Sequence, residues 1–470
     1  MQSVPCKVSS ERTKENVLDD SRAFDWTAVV NYARRSYSEP PKTQYELPGV
    51  NVEDHLGVPV ACIPLWHTIV TARLTIGKGD VSGLQRAQAR LDAALTEIEA
   101  IYPLNPGGIL TQVAYGLPYF KDYIPASITE KLMPRVLENG KPGAWALIES
   151  IRFPKDPKNL ILEKNDISFH FKSDYKEHIG NVMQALFQPG ENLLNGIPGE
   201  NVYIGDLVTV TSIRRGFAGS GMPRKMGLRL GLPGAKKIPA GAMLFMGFTS
   251  SHVHGLAQGP LPSFETIPGY TDQTPTSYFA HGTMMHLSHI NIDLEGWYGM
   301  NHQDRLHRMF HPRRKEDEEI LSPSQAPETS TFKEALEEDA RAHGILGHNA
   351  QMQFLSRLGE DTTTVYGDRL PKGTVIFLRQ DFDTVEHPFE FDSAGPVSPE
   401  PIPGVHFVGF AASSQLFEKI RLEMDGIALQ KKFNLSDENT GFTKFLTTTH
   451  RQNYLEPSRS HRSFPLAELV

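Results

Sequence analysis

The chain has 470 residues, of which 39% are hydrophobic and 22% charged, so it is long enough for two packed modules and is not disordered as a whole. Its net charge of -8, without a large basic block, excludes a nucleic-acid surface, since phosphate binding needs clustered Lys and Arg. Only Cys6 and Cys62 are present, no apolar run reaches the roughly 18 residues that span a bilayer, and no signal pattern opens the chain, so we expect a cytoplasmic protein without a membrane partner.

The first part of the chain alternates predicted strands and helices. Residues 1–48 are polar and interrupted by Pro40 and Pro41, so we expect an N-terminal arm over a surface, with the ordered body starting near Val50. Apolar residues recur at helical spacing from Val81 to Ile101, including Leu84, Leu91 and Leu95. The patterns predict strands at 64–76, 109–115, 167–172 and 207–213, and helices at 81–101 and 176–186.

A second set of elements follows the same order. The patterns predict strands at 286–294, 374–379 and 405–410, and helices at 303–310 and 416–424. Two such sets indicate an α+β protein of two ferredoxin-like halves, of the dimeric α/β-barrel type, with facing antiparallel sheets. We divide the chain into an arm at 1–48, a first half at 49–250, a second half at 251–435 and a polar tail at 436–470. Sheet-edge packing is compatible with a homodimer.

One apolar run ends in polar residues. The residues from Ala242 to Met246 predict a buried strand, and Gly247 and Phe248 then turn the chain towards Thr249, Ser250 and Ser251. Such a strand end is a place where a buried cofactor could meet catalytic groups.

This run, with the segments around His348 and Arg379, resembles the dye-decolourising peroxidases, a superfamily of haem enzymes, from about residue 59 to 426. The resemblance implies haem b as cofactor, with His348 as the ligand of its iron and Arg379 over the opposite haem face. It places Asp381 as a neighbouring polar group, and Phe248, Thr249 and Ser251 against the cofactor. The second predicted half would carry the haem site, and the substrate would be a small organic molecule.

The chain departs from that family at Ser250. The family has an Asp there that moves protons on bound peroxide, whereas a Ser hydroxyl has no accessible base form. Ser251 also replaces the second family Gly. His252 and His254 follow and could supply acid/base capacity near neutral pH. Ser, His and Arg together also resemble the site of aldoxime dehydratases, haem lyases that act on N–O substrates.

Simpler interpretations remain open for the same residues. His348 could be a helix-terminal His bonded to backbone carbonyls, and Arg379 could pair with Asp381 or Asp383 at a strand end. His252 and His254 could instead bind a non-haem metal with a third ligand from elsewhere.

Two other histidine pairs predict no metal site. His286 and His289 face opposite sides of a predicted strand, so they cannot chelate together. His307 and His311 have zinc-compatible spacing, but an exposed helix end explains them better.

The favoured hypothesis is therefore a haem-binding, peroxidase-like oxidoreductase with Arg379, Ser250, His252 and Asp381 in catalytic roles. A haem lyase and a haem-free binding protein that keeps the fold are the alternatives.

Overall fold

The computed structural model of the chain describes residues 39–55, 58–189, 193–194, 197–198, 202–248, 261–312, 333–389, 391–392, 395–396 and 400–470. Its main feature is one large sheet built from two four-stranded units and closed into a ring. Each unit has the strand order of a ferredoxin-like fold, in which the first and third strands lie at the centre. The predicted α+β fold of two ferredoxin-like halves is confirmed, with the two sheets joined edge to edge.

The first half forms where the sequence patterns place it. Its helix begins after Asp80, whose side chain accepts the backbone N–H of Gly83, and it buries Leu84, Leu91 and Leu95 against the sheet. The side-by-side order of its strands is Val208–Phe217, Trp66–Leu74, Ile167–Ser173 and Leu110–Gly116, all antiparallel. Its two long helices are Val81–Ile101 and Lys176–Phe187.

The second half repeats this order with strands taken partly from the end of the chain. Its side-by-side order is Leu446–Glu456, Thr283–Ile292, Gly404–Ala411 and the short pair Leu378–Arg379 and Phe382–Thr384. The pairs Phe217 with Asp383 and Tyr454 with Gly116 join the two halves and close the ring. The predicted polar tail at 436–470 is therefore wrong, because Leu446–Glu456 is the fourth strand of the second half.

The ring separates an inner face from an outer face, since side chains alternate along each strand. Along Thr283–Ile292, Ser288 and Ile290 point outwards to the helices, whereas Leu287 packs in the inner cluster with Tyr45 and Phe410. The inner face is also rich in polar side chains, among them His67, His170 and Lys172, all at most 1% exposed.

Three further predictions differ from the structure. Tyr45, in the predicted surface arm, is fully buried, and Gln44 Nε2 donates to the carbonyls of Val113 and Pro457. The residues from Ala242 to Met246 form turns, not a strand. Of the predicted strand 374–379, Leu378–Arg379 forms a strand, and Val375 makes only an isolated bridge with Arg357. The boundary near residue 250 falls among residues 249–260, outside the described part, and stays a prediction.

The remaining elements surround the ring. No helix among the described residues is both long and apolar enough to cross a bilayer. The other helices are Leu117–Asp122, Ala126–Leu132, Met222–Arg229, Leu294–Gly299, His302–Met309, Lys333–His343, His348–Gln353, Ser414–Asp425 and Ile427–Phe433. Peripheral two-stranded pairs are Asn51–His55 with Val58–Cys62, Arg135–Glu138 with Lys141–Trp145, and Thr362–Thr363 with Arg369–Leu370.

Candidate functional site

A cavity lies on the outer face of the second half, under the helices His348–Gln353 and Ser414–Asp425. Its volume is about 780 Å³ when space open to solvent is counted, and the room inside it is about 70 Å³. Outward side chains of three strands form its floor, among them Ser288, Phe407 and Thr448. The apolar part of the wall includes Ile290, Phe377, Phe407, Phe417, Ile420 and Met424.

His348 lies in this cavity at the start of its helix. The preceding residue must be glycine, because a side chain at Gly347 would overlap the carbonyl oxygen of Phe310. That close approach brings the first turn of the helix against the end of the neighbouring helix and directs His348 into the wall. The imidazole is 4% exposed, and no described residue accepts a hydrogen bond from its Nδ1.

The environment keeps His348 neutral. Burial lowers the pKa of His348 well below its usual value, and the positive charges of Arg379 and Arg421 lower it further. A neutral imidazole has a lone pair for a metal ion or a hydrogen-bond donor. The alternative prediction was a helix-terminal His348 bonded to backbone carbonyls. It is not supported, because Nδ1 of His348 forms no hydrogen bond with a described residue.

Arg379 lines the same cavity as His348, although the two residues are 31 positions apart in the chain. Its strand pairs with Gly404–Ala411 opposite Gly409, where any side chain would overlap the ring of Phe377. The guanidinium Nη1 lies 3.5 Å from Asp381 Oδ2 and the side chain is 22% exposed. Arg379 therefore both faces the cavity and forms the ion pair proposed for it with Asp381.

Asp381 lies beside Arg379 but is not among the residues that line the cavity. Its Oδ1 accepts the backbone N–H of Val408 at 3.0 Å. Burial raises the pKa of Asp381 to about 6, against the opposing effect of Arg379. This carboxyl group can therefore gain and lose a proton near neutral pH.

Three cations in the cavity wall were missed by the sequence analysis: Lys155, Arg421 and Arg451. Arg451 donates to both carboxylate oxygens of Asp156, at 2.6 and 3.0 Å, and Arg421 lies 3.5 Å from the same group. Both Arg451 and Asp156 have side chains only 1% exposed. They come from separate parts of the chain, and no sequence pattern around them indicated that they meet.

The Gly-Phe turn lies apart from this cavity. Gly247 has φ +90° and a side chain there would meet Tyr298 Oη at 2.7 Å, so glycine is required. Phe248 packs edge-on against Phe310 with 5.2 Å between ring centroids, and it borders a smaller pocket with His302. Phe248 is thus not among the residues that line the His348 cavity. Four other predicted site residues, Thr249, Ser250, Ser251 and His252, lie outside the described residues, as does His254.

The other histidines predicted as candidates have structural surroundings. His286 is stacked on Phe417 and its nitrogens contact Asn453 Oδ1 and Ser288 Oγ, each at 2.7 Å. The helix that carries His307 ends at Met309, before His311. Among the described residues, no three or more His, Cys, Asp or Glu side chains are grouped to hold a metal ion.

Solved structures that are similar to this chain include dye-decolourising peroxidases. One from Bacteroides thetaiotaomicron is 13% identical, with a TM-score of 0.49, over 88% of this chain and 97% of that one. A dye-decolourising protein from V. cholerae is 12% identical, with a TM-score of 0.47, over 86% and 97%. A variant of DypB from Rhodococcus jostii RHA1 in complex with heme is 13% identical, with a TM-score of 0.49, over 85% and 95%.

Comparison with curated proteins gave no match. A family model does match, over residues 64–458, which include both halves of the ring and every cavity residue discussed above. The chain therefore belongs to DUF7405, described as a family of unknown function.

Proposed function

We propose that this protein is a haem-binding oxidoreductase, peroxidase-like in architecture, that acts on a small organic molecule. The observation that carries the proposal is the presence of His348 and Arg379 in the wall of one largely apolar cavity. A buried neutral imidazole and a guanidinium serve an iron porphyrin and its bound ligand, respectively.

The residues present fit such a group. His348 offers an unprotonated nitrogen, and the aromatic and aliphatic wall suits the apolar face of a porphyrin. Lys155, Arg421 and Arg451 also line the cavity, and each would have to leave its present partner, Asp437, Asp425 or Asp156, to bind the porphyrin carboxylates. When bound, haem b would supply an iron centre that exchanges electrons and binds a small ligand at its open position.

The chain's own groups would then handle charge and protons. Arg379 cannot release a proton at neutral pH, so it would stabilise negative charge that develops on the bound ligand. Asp381, whose pKa is raised to about 6, is paired with Arg379 when ionised and would take up a proton at Oδ2 when that pair opens, since Oδ1 accepts the Val408 N–H. This gives Asp381 the part of proton acceptor that Ser250 cannot take.

A second candidate is a haem-dependent lyase that dehydrates an N–O substrate. The replacement of the family Asp by Ser250 favours it, because a dehydration needs a hydrogen-bond donor at the substrate oxygen more than it needs a strong base. His252 would be the acid/base group in that reaction.

The first experiment is an absorption spectrum of the purified protein before and after addition of hemin. We expect a Soret band that saturates at one hemin per chain. A colourless protein that ignores hemin would refute the haem proposal and leave the haem-free binding protein.

The second experiment separates the two reactions in the loaded protein. Hydrogen peroxide with a reducing dye tests the oxidoreductase, and an aldoxime tests the lyase. Arg379→Gln should keep hemin binding and lose turnover, whereas Arg90→Gln, in the exposed pair with Asp206, should change neither. Turnover of only the aldoxime would replace the first proposal by the second.

A further inference from the structure

A loop of the first half forms one side of the cavity. Phe153 of this loop, residues 151–157, packs edge-on against Phe417 of helix Ser414–Asp425, with 6.1 Å between ring centroids. Three residues of the loop lie in the cavity wall: Lys155, Asp156 and Pro157. With the loop in place the room inside the cavity is about 70 Å³, whereas pockets for small molecules usually have about 300–1,000 Å³. A flat cofactor therefore needs this side of the cavity to open.

Asp156 fastens the loop to the second half. Its two carboxylate oxygens accept hydrogen bonds from Arg451 at 2.6 and 3.0 Å, and Arg421 lies 3.5 Å from Oδ1. The side chains of Asp156 and Arg451 are each only 1% exposed. The backbone N–H of Lys155 also donates to Asp425 Oδ2 at 3.1 Å. The main link is therefore one carboxylate held between two guanidinium groups.

We propose that residues 151–157 form a lid and that Asp156 is its latch, which a carboxylate on an apolar ligand displaces from Arg421 and Arg451 as the ligand enters. This inference rests on the proposed function, in which the ligand is a porphyrin that carries carboxylates. The exchange of one carboxylate for another preserves the charge balance and the charge-assisted hydrogen bonds of the buried cations. Its main cost is therefore the movement of the loop.

The charges in the cavity wall couple opening of the lid to binding. Among the described residues that line the cavity, four are cations and only Asp156 is a carboxylate. Opening the lid takes from Arg451 the carboxylate that it bonds, so the open form is stable only when another anion takes its place. Lys155 is released more easily, because its partner Asp437 is 70% exposed and lies 2.8 Å away in a solvated ion pair.

The first measurement needs no variant. Hydrogen–deuterium exchange of the peptide that covers residues 151–157 is compared with and without hemin. We expect faster exchange with hemin bound, because the Lys155 N–H leaves Asp425 when the lid opens. Slower exchange of this peptide would mean that hemin binds under a closed lid, and it would overturn the inference.

The second measurement is the hemin affinity of three variants, from titration of the Soret band. Asp156→Asn weakens the latch and keeps both guanidinium groups, so it should bind hemin at least about tenfold more tightly than wild type. Asp437→Asn frees Lys155 alone and should bind about twofold to fivefold more tightly. Asp206→Asn, in an exposed ion pair with Arg90 that does not line the cavity, is the matched control and should equal wild type.

Wild type gives a further readout if Asp156→Asn does not fold. Hemin dimethyl ester lacks the free carboxylates that would displace Asp156, so it should bind at least about tenfold more weakly than hemin. Equal binding of hemin and its ester by wild type, or an Asp156→Asn protein that folds and binds hemin no more tightly, would overturn the inference while haem binding stands. Absence of a Soret band with hemin in wild type and in every variant would instead refute the proposed function itself.

Discussion

Buried histidines should make the folded protein sensitive to mild acid. Burial lowers the pKa of six histidines that are at most 4% exposed, and the pKa of His67 falls to about 3. Below their ordinary pKa of 6.5 these groups take up protons in the unfolded chain but not in the folded one, so stability is lost as pH falls. The six are His67, His170, His286, His289, His348 and His406.

Three buried carboxyl groups oppose this effect. Burial raises the pKa of Asp381 to about 6 and that of Glu456 to about 8, and it also raises the pKa of Asp383. These groups hold protons in the folded state that the unfolded chain has lost, so they add stability as pH falls. Because these histidines outnumber these carboxyl groups, the folded protein should lose stability as the pH falls below about 6.5.

His406 provides the critical variant. It is fully buried, and neither ring nitrogen has a partner among the described residues. His406→Leu should stabilise the apoprotein by about 1–3 kcal/mol at pH 7, because it removes two unpaired polar atoms. It should also reduce the loss of unfolding free energy on acidification by about 1.4 kcal/mol per pH unit.

The assay is urea unfolding of the apoprotein at pH 7.0, 6.0 and 5.5, followed by circular dichroism. His343→Leu, at an exposed position, is the matched control and should keep the wild-type slope. An unfolding free energy independent of pH in this range, or equal slopes for the two variants, would refute the reasoning.

Three more predictions concern stability. Asp156→Asn should lower the free energy of unfolding in urea by about 3–5 kcal/mol, because it leaves the charge of the buried Arg451 uncompensated. Asp206→Asn, in an exposed ion pair, should lower it by at most about 1 kcal/mol, and equal losses in the two variants would contradict this prediction. Gly347→Ala should lower stability by about 3 kcal/mol through overlap with a backbone carbonyl, whereas Gly359→Ala, with no atom near, should be neutral by the same measurement. Burial lowers the pKa of Lys172 to about 7, so between about pH 7.5 and 9, below the range in which buried tyrosines with raised pKa oppose it, wild type should gain more stability than Lys172→Met; equal pH dependence of the two proteins would exclude Lys172 as a source.

The sequence predicted elements well wherever one face is apolar. Helix Val81–Ile101 has its predicted bounds, because Leu84, Leu91 and Leu95 mark a single buried stripe. Strand Leu446–Glu456 was missed because both of its faces are polar: Arg451 and Asn453 point outwards, and Gln452 points into the polar interior of the ring. Alternation of apolar and polar residues cannot reveal such a strand.

At two other places, tertiary packing and not the local sequence pattern determines the structure. The residues from Ala242 to Met246 are apolar enough for a strand, but they form turns that pack in a hydrophobic cluster with Trp297 and Leu306 and do not pair with another strand. Lys155, Arg421 and Arg451 meet only because the ring closes and brings a loop of the first half over the second. The sequence could place His348 and Arg379 through resemblance, but it could not place these cations.

The most direct test of the central claim is the hemin dissociation constant of His348→Ala, measured by titration of the Soret band. His343→Ala, in the exposed last turn of a neighbouring helix, is the control. If His348 ligates the iron, its loss should weaken binding at least about tenfold, or about 1.4 kcal/mol, and shift the Soret band, whereas the control keeps wild-type values. Wild-type affinity with an unchanged Soret band in His348→Ala would contradict the account.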